Sequence, residues 1–302
     1  MMATVLEENQ PAAMLAISTA NPANCLLQEE FPDWYFRVTR SDHLAKLKAK
    51  MKRMCTDSGI RKRHLHHTEE MIGSHPGFLD LAVPSLGARM RITDDAVPEL
   101  AAAAAAKAIA EWGRPAADIT HLVLSTNSSA VSPGPDLRVA TLHGLRPTVQ
   151  RTVLYLHGCS AGCSALRLAK DIAESIPGAR VLAVSADVSV SAFRALDEVH
   201  LDADGAGAVI IGAEPVTDVE RVALHMVAAA QATLPGTDHA VSIRLGESGV
   251  EYHMSAELSG LSGAWWMRRR PWVEAAAGMA SCGRRTSTGR ELIFHLPSFI
   301  PV

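Results

Sequence analysis

The chain has 302 residues, 48% hydrophobic and 20% charged, with a formal net charge of −3. That length holds two domains or one large α/β body, and the ordinary globular composition excludes collagen-like, low-complexity and disordered classes. The near-neutral charge gives no global electrostatic case for nucleic acid, and no apolar run approaches the ~18 residues of a membrane span. Five cysteines scattered over the chain do not make a disulfide framework. The acidic N-terminal stretch lacks the basic and apolar regions of a signal peptide. A cytoplasmic protein with reduced thiols is expected.

In chain order, Met14 to Ile17 is a short apolar run closed by Asn21-Pro22, which reads as a strand and a turn. Pro32 to Phe36 is rich in aromatics. Ser41 to Ser58 has a helical period: Leu44, Leu47, Met51 and Met54 share a face, Ser41-Asp42 is the expected N-cap, and Lys46, Lys48, Lys50, Lys52 and Arg53 lie opposite. Together with Arg61-Lys62-Arg63-His64, this is the most basic portion of the chain. Pro98 to Trp112 reads as a helix stopped by Gly113, and its alanines at 101–106 predict close packing. Strands are expected at 121–125, 153–156, 179–185 and 206–211, with a helix over 162–176. Helices alternating with nearly all-apolar strands argue for an α/β fold with a sheet covered on both faces. After Pro215 come a strand-like segment at 222–232 and a hairpin pairing 241–245 with 250–254. Beyond Gly260, through Trp265, Trp266, Trp272 and the run Arg268 to Arg270, no helical or strand period persists.

The chemistry-bearing feature is Leu156-His157-Gly158-Cys159-Ser160-Ala161-Gly162-Cys163, in the order strand, glycine, cysteine, small-residue turn, helix. A cysteine at that junction meets the unpaired N–H groups and dipole of a helix start, which favour a thiolate. Gly158 and Gly162 clear space for a substrate carbonyl to reach the sulfur, so Cys159 is a candidate nucleophile. The alternative reading of the same spacing is a buried structural cysteine. Cys159 and Cys163 without further ligands nearby make a poor zinc signal, and no metal site is expected.

The same region carries a family resemblance. Trp34-Tyr35-Phe36-Arg37, Lys52-Arg53-Met54-Cys55, Glu111-Trp112-Gly113, Gly144-Leu145-Arg146-Pro147, Gly158 to Gly162, Asp204-Gly205-Ala206 and Gly212 to Pro215 occur in one order. In these segments the chain resembles the plant type III polyketide synthases, the chalcone and stilbene synthase group. The resemblance implies a thiolase-like fold, layered α/β/α/β/α from two similar halves, assembled as a homodimer. Residues 1–215 would be the complete nucleophile-bearing half, 216–262 the start of a truncated second half, and 263–302 a divergent tail. It implies acyltransferase chemistry: a starter acyl group moves from a CoA thioester to Cys159 and is extended with units from malonyl-CoA, with no metal or redox cofactor.

Position by position, Lys50 and Arg53 match contacts to CoA phosphates, while Asp57 stands at a third such position. Pro133, Gly158, Gly162, Asp204 and Gly249 match residues that shape the family's cavity. Asn127, Ser128, Ser132, Ala192, Ile243 and Tyr252 stand at variable wall positions, so the resemblance does not assign chalcone as product. Two departures bear on activity. His200-Leu201-Asp202 is followed by Ala203 and at once by Asp204, omitting the segment with the family's gatekeeper phenylalanine; Phe193 matches a different one. The family's His-Pro-Gly-Gly and later asparagine have no counterpart, and His295 lacks the Gly-Gly. His157, His200, His225 and His253 read as structural or surface residues. Impaired extension is therefore expected, the alternative being an inactive family remnant or a non-catalytic partner of an intact paralogue.

Overall fold

A computed structural model describes residues 11–80, 82–195, 204–231, 235–255 and 257, together with the backbone of 291–295. Its centre is a mixed sheet. Strand β4 (His121–Thr126) runs parallel to both β5 (Gln150–Tyr155) and β6 (Arg180–Asp187). Strand β7 (Gly205–Gly212) is antiparallel to β6, and β1 (Ala13–Ala20) antiparallel to β7. Beyond β1 lie β8 (Leu224–Ala230), antiparallel to it, and β11 (Glu291–His295), parallel to β8. The seven strands lie in the order β11-β8-β1-β7-β6-β4-β5.

Side-chain alternation along these strands feeds two separate cores. Leu122 and Leu124 of β4, Leu182 and Val184 of β6, and Ala208 and Ile210 of β7 turn to one face. That face is covered by the long helix α4 (Leu86–Trp112), which presents Ala101, Ala104, Ala105 and Ala108. Val123, Val181, Ala183 and Ile211 turn to the other, covered by helix α6 (Ala161–Ser175) through Ala165, Ala169 and Ala173. The alanines recur at helical spacing and bring each backbone close to the sheet. The result is the expected α/β class, with helices on both faces. Among the described residues no helix is long and apolar enough to cross a membrane.

Two smaller units sit at the edge of the sheet where β4, β5 and β6 end. Helix α1 (Phe31–Val38), helix α2 (Ala45–Asp57) and the pair β2 (Asn24–Leu27) and β3 (Lys62–Leu65) share a core of Phe31, Tyr35, Phe36, Met51 and Leu65. Asp204, just before β7, fixes this unit in place. Its carboxylate accepts from the backbone N–H groups of Ser189, at 2.6 Å, and His66, and its own N–H donates to His64 O at 2.9 Å. The second unit is the hairpin β9 (Val241–Gly246) and β10 (Gly249–Met254). The backbone N–H groups of Ser85 and Leu86 both donate to Glu247 O, at 2.8 and 2.9 Å. A Cβ on Gly249, whose φ is +124°, would lie 2.5 Å from Ser191 O and 2.7 Å from Arg89 Cδ, so only glycine lets the hairpin approach this closely.

Three expectations are corrected. Helix α2 starts at Ala45 with Leu44 as its N-cap and no side-chain cap, because Ser41 donates to Thr39 O and Asp42 is drawn to Lys48 Nζ at 2.8 Å. Helix α4 begins at Leu86, with Pro98 inside it. The bond that Pro98 cannot donate is offset by anchoring of the early turns through Arg89, which is fully buried and donates to Val190 O, Phe193 O and Phe78 O. In the segment read as having no period, residues 291–295 form β11; Leu292-Ile293-Phe294 is β-prone but too short to show one.

Candidate active site

Strand β5 does not run straight into helix α6. Leu156 takes φ +50° and Gly158 φ +78°, two left-handed positions that turn the chain and leave Cys159 exposed just before the helix. For Leu156 this conformation costs on the order of 1–2 kcal/mol, so neighbouring contacts must hold it. Leu156 N–H donates to Thr126 O at 3.0 Å, and Ala161 N–H closes the turn onto Gly158 O at 3.0 Å. Ser160, the N-cap of α6, makes no side-chain cap bond, so the helix start retains N–H groups for an anion beside Cys159. A Cβ on Gly162 would lie 3.4 Å from Ser185 Oγ, ordinary van der Waals contact, so the first helical turn packs directly against β6. Cys163, one turn along, is half-buried, and burial pushes its thiol pKa up, as it does for buried Cys55. Those two are unsuited to act as thiolates; Cys159 is exposed at the helix start, and Cys25, also exposed, lies on β2.

The turn is gripped from β4 and β6. Asn127 Oδ1 accepts from Gly158 N–H at 2.9 Å, and Asn127 Nδ2 donates to Gly158 O at 3.3 Å and to Asp187 Oδ2 at 3.2 Å. Asp187 Oδ1 also accepts from Asn127 N–H at 2.6 Å, Ser128 Oγ at 3.0 Å and Thr126 Oγ1 at 3.3 Å. Ser128 Oγ in turn accepts from Val188 N–H at 2.9 Å. Burial pushes the Asp187 carboxyl pKa up, against the pull of its hydrogen-bond donors. Asn127 and Ser128, singled out as pocket positions, are thus buried and bonded into the support of the turn. Asp187 was not singled out; the signal available was an acid ending an otherwise small and apolar strand, Val181 to Ala186.

The remaining positions gather at the same edge of the sheet. Tyr155 ends β5 and donates from its hydroxyl to Val131 O at 2.7 Å, which fixes the loop carrying exposed Ser132 and the cis Ser132–Pro133 bond. A Cβ on Gly158 would meet Ile243 Cδ1 of β9 at 3.9 Å. Tyr252 pairs with Ile243 in register, so both side chains share one face of the hairpin. Ala192 is buried in the segment following β6, beside Phe193, whose ring packs against Trp34, Tyr35 and His67. Burial lowers the His67 pKa to about 3 and keeps it neutral.

Lys50 and Arg53 lie one turn apart on the exposed face of α2, outside any ion pair with the described residues. Their neighbours Lys48 and Lys52 are instead committed to Asp33, both at 2.8 Å. Of the histidines, His157 and His253 are exposed, His225 is half-buried, and His295 ends β11. His200 and the shortened segment before Asp204 fall outside the described residues. Among the described residues no group of three or more His, Cys, Asp and Glu side chains is placed to hold a metal ion.

Comparison with known proteins adds two findings. Residues 2–215 match the family model for the N-terminal domain of chalcone and stilbene synthases. The chain is also 56% identical over 260 residues to bisdemethoxycurcumin synthase from Oryza sativa subsp. japonica. That alignment covers 83% of this chain and 64% of the rice protein, so the chain spans less than two thirds of its relative's length.

Proposed function

The chain belongs to the chalcone and stilbene synthase family, and on that premise we propose that it is an acyltransferase of type III polyketide synthase kind. Its substrates are a CoA-linked starter and malonyl-CoA. The observation that carries this reading is Cys159, exposed on a tightly held turn at the uncapped start of α6. The sulfur attacks the starter's thioester carbonyl, a new C–S bond forms, and CoA leaves as its thiol. N–H groups at the helix start favour the thiolate. Lys50 and Arg53 supply cations for the CoA phosphates from α2, at the same edge of the sheet. No metal or redox group enters this scheme. It includes homodimer formation, or pairing with an intact paralogue, in the cytoplasm.

Extension requires stabilising the enolate left when malonyl-CoA loses carbon dioxide. The family's His-Pro-Gly-Gly is not matched within residues 261–302; such a stabilising group contributes roughly 10²–10³-fold to the rate. The test is incubation with p-coumaroyl-CoA and radiolabelled malonyl-CoA, read by intact mass and product analysis beside Cys159→Ala. Extended product and a Cys159 acyl adduct, both lost in the variant, are expected. An adduct without product would identify a member that loads but does not extend. No adduct would overturn the assignment.

A further inference from the structure

Cys159 stands on a backbone turn that local bonds stabilise only in part. Leu156 is left-handed without being glycine, Ala161 N–H closes the turn onto Gly158 O, and Ser160 makes no side-chain cap bond to α6. Further support comes from elsewhere in the chain. We propose that Asn127 is a positioning residue for Cys159, acting through both backbone groups of Gly158, and that Asp187 fixes the orientation in which Asn127 can do so. The inference rests on Cys159 being the acyl-carrying nucleophile and assigns the side chains that aim it.

The hydrogen-bond chemistry permits one arrangement. The Asn127 amide faces an N–H and a C=O of the same residue, Gly158, so its oxygen must meet the N–H and its nitrogen the C=O. Rotated by half a turn, the amide would oppose donor to donor and acceptor to acceptor. Asp187 removes that alternative, because its Oδ2 accepts only from the nitrogen. Its Oδ1 is meanwhile held by Asn127 N–H, Ser128 Oγ and Thr126 Oγ1, so the carboxylate has little freedom to follow a rotated amide. Both hydrogens of Asn127 Nδ2 are committed, one to Gly158 O and one to Asp187. The clamp joins the ends of β4 and β6 to a turn that follows β5, so all three parallel strands converge on the residue before the thiol. Asn127, matched by resemblance to a wall position of the cavity, acquires a second role that does not depend on the size of the product.

Substitution to aspartate separates positioning from bulk. Asn127→Asp keeps the size of the side chain and the acceptor for Gly158 N–H, but sets a carboxylate oxygen against Gly158 O and against Asp187. The readout is the rate of iodoacetamide alkylation of Cys159 in the full chain between pH 5 and 9.5, followed by peptide mass mapping. It needs neither CoA substrates nor extension. Glu220→Gln, at the opposite end of β6, serves as a destabilised control whose turn is intact. Asn127→Asp should alkylate at least ~10-fold more slowly at pH 7.5, with its midpoint moved to higher pH. Glu220→Gln should keep the wild-type profile. The double variant Asn127→Asp with Asp187→Asn again opposes a donor to an acceptor between these two side chains, and should regain part of the lost rate. Should Asn127→Asp fail to fold, Asn127→Ala carries the same comparison. Wild-type alkylation in the Asn127 variants, or equal slowing in Glu220→Gln, overturns the proposal. If alkylation depends on Asn127 while CoA substrates give no adduct, the polyketide synthase reading fails and the positioning role stands.

Discussion

Glu220 shows how much a single buried charge can organise. Its side chain is fully buried, and Arg180 meets it through Nε at 2.7 Å and Nη2 at 2.6 Å. Arg114 Nη1 and the Trp112 indole add donors at 2.9 Å each, and Val216 N–H one at 2.8 Å. Burial alone would push its pKa up, but these hydrogen bonds and the Arg180 charge outweigh it and bring the carboxyl down to about 2 from 4.5. Its stabilisation is therefore complete above pH 4.5 and is lost as pH falls through about 2. Glu220→Gln leaves Arg180 buried beside a neutral amide and should cost about 3–5 kcal/mol at pH 7. In chemical denaturation the gap between wild type and variant should stay constant from pH 8 to 5, then narrow below pH 4. A gap that widens on acidification would contradict this account.

At the scale of elements, α4 owes its fit to alanine. Ala101, Ala104, Ala105 and Ala108 are fully buried against the sheet, whereas Ala103 and Ala106 are exposed. Ala105→Leu forces a larger side chain into that contact and should cost about 1–3 kcal/mol, while Ala103→Leu should change the melting temperature little. Equal effects at the two positions would show that the packing is less tight than described. The alanine run was legible in sequence, as were α6 and every strand of the central sheet except β11, because nearly unbroken apolar runs and helical periods mark buried elements. Besides β11, three things were hidden. The first half of α4 lay behind Pro98, a residue that locally argues for a start. Strands β2 and β3, of four residues each, are too short to show alternation. At the site, Cys159 was marked by its flanking glycines, but Asp187 and Arg89 act on backbone atoms more than thirty residues away in sequence or across elements, and sequence spacing does not encode such partners.

For the whole molecule, one edge of the sheet collects parts that come from separate units. The Cys159 turn leaves β5, Asn127 and Asp187 end β4 and β6, Ile243 arrives on the hairpin, and Lys50 and Arg53 stand on α2. Open α/β sheets place ligands at the carboxyl ends of their strands. Because α2 has its own core, its charges are separable from the thiol. Lys50→Glu with Arg53→Glu should weaken acyl-CoA binding by roughly 2–5-fold per charge and leave iodoacetamide alkylation of Cys159 unchanged. The difference should shrink at high ionic strength. A loss of alkylation would mean that the two units are mechanically coupled.

The strand order also sets a timetable for synthesis. Strand β1, with Ala13 to Ala16 buried, sits between β7 and β8, and Ala20 finds its partner at Ala206. A ribosome adding 5–20 residues per second takes roughly 10–40 s to produce that partner. For that interval an apolar segment that has already left the exit tunnel has no sheet to join. The nascent chain thus offers a long window for capture by a holding chaperone, and the nucleophile turn, which emerges before β6, cannot be locked until Asp187 at the end of β6 has followed it.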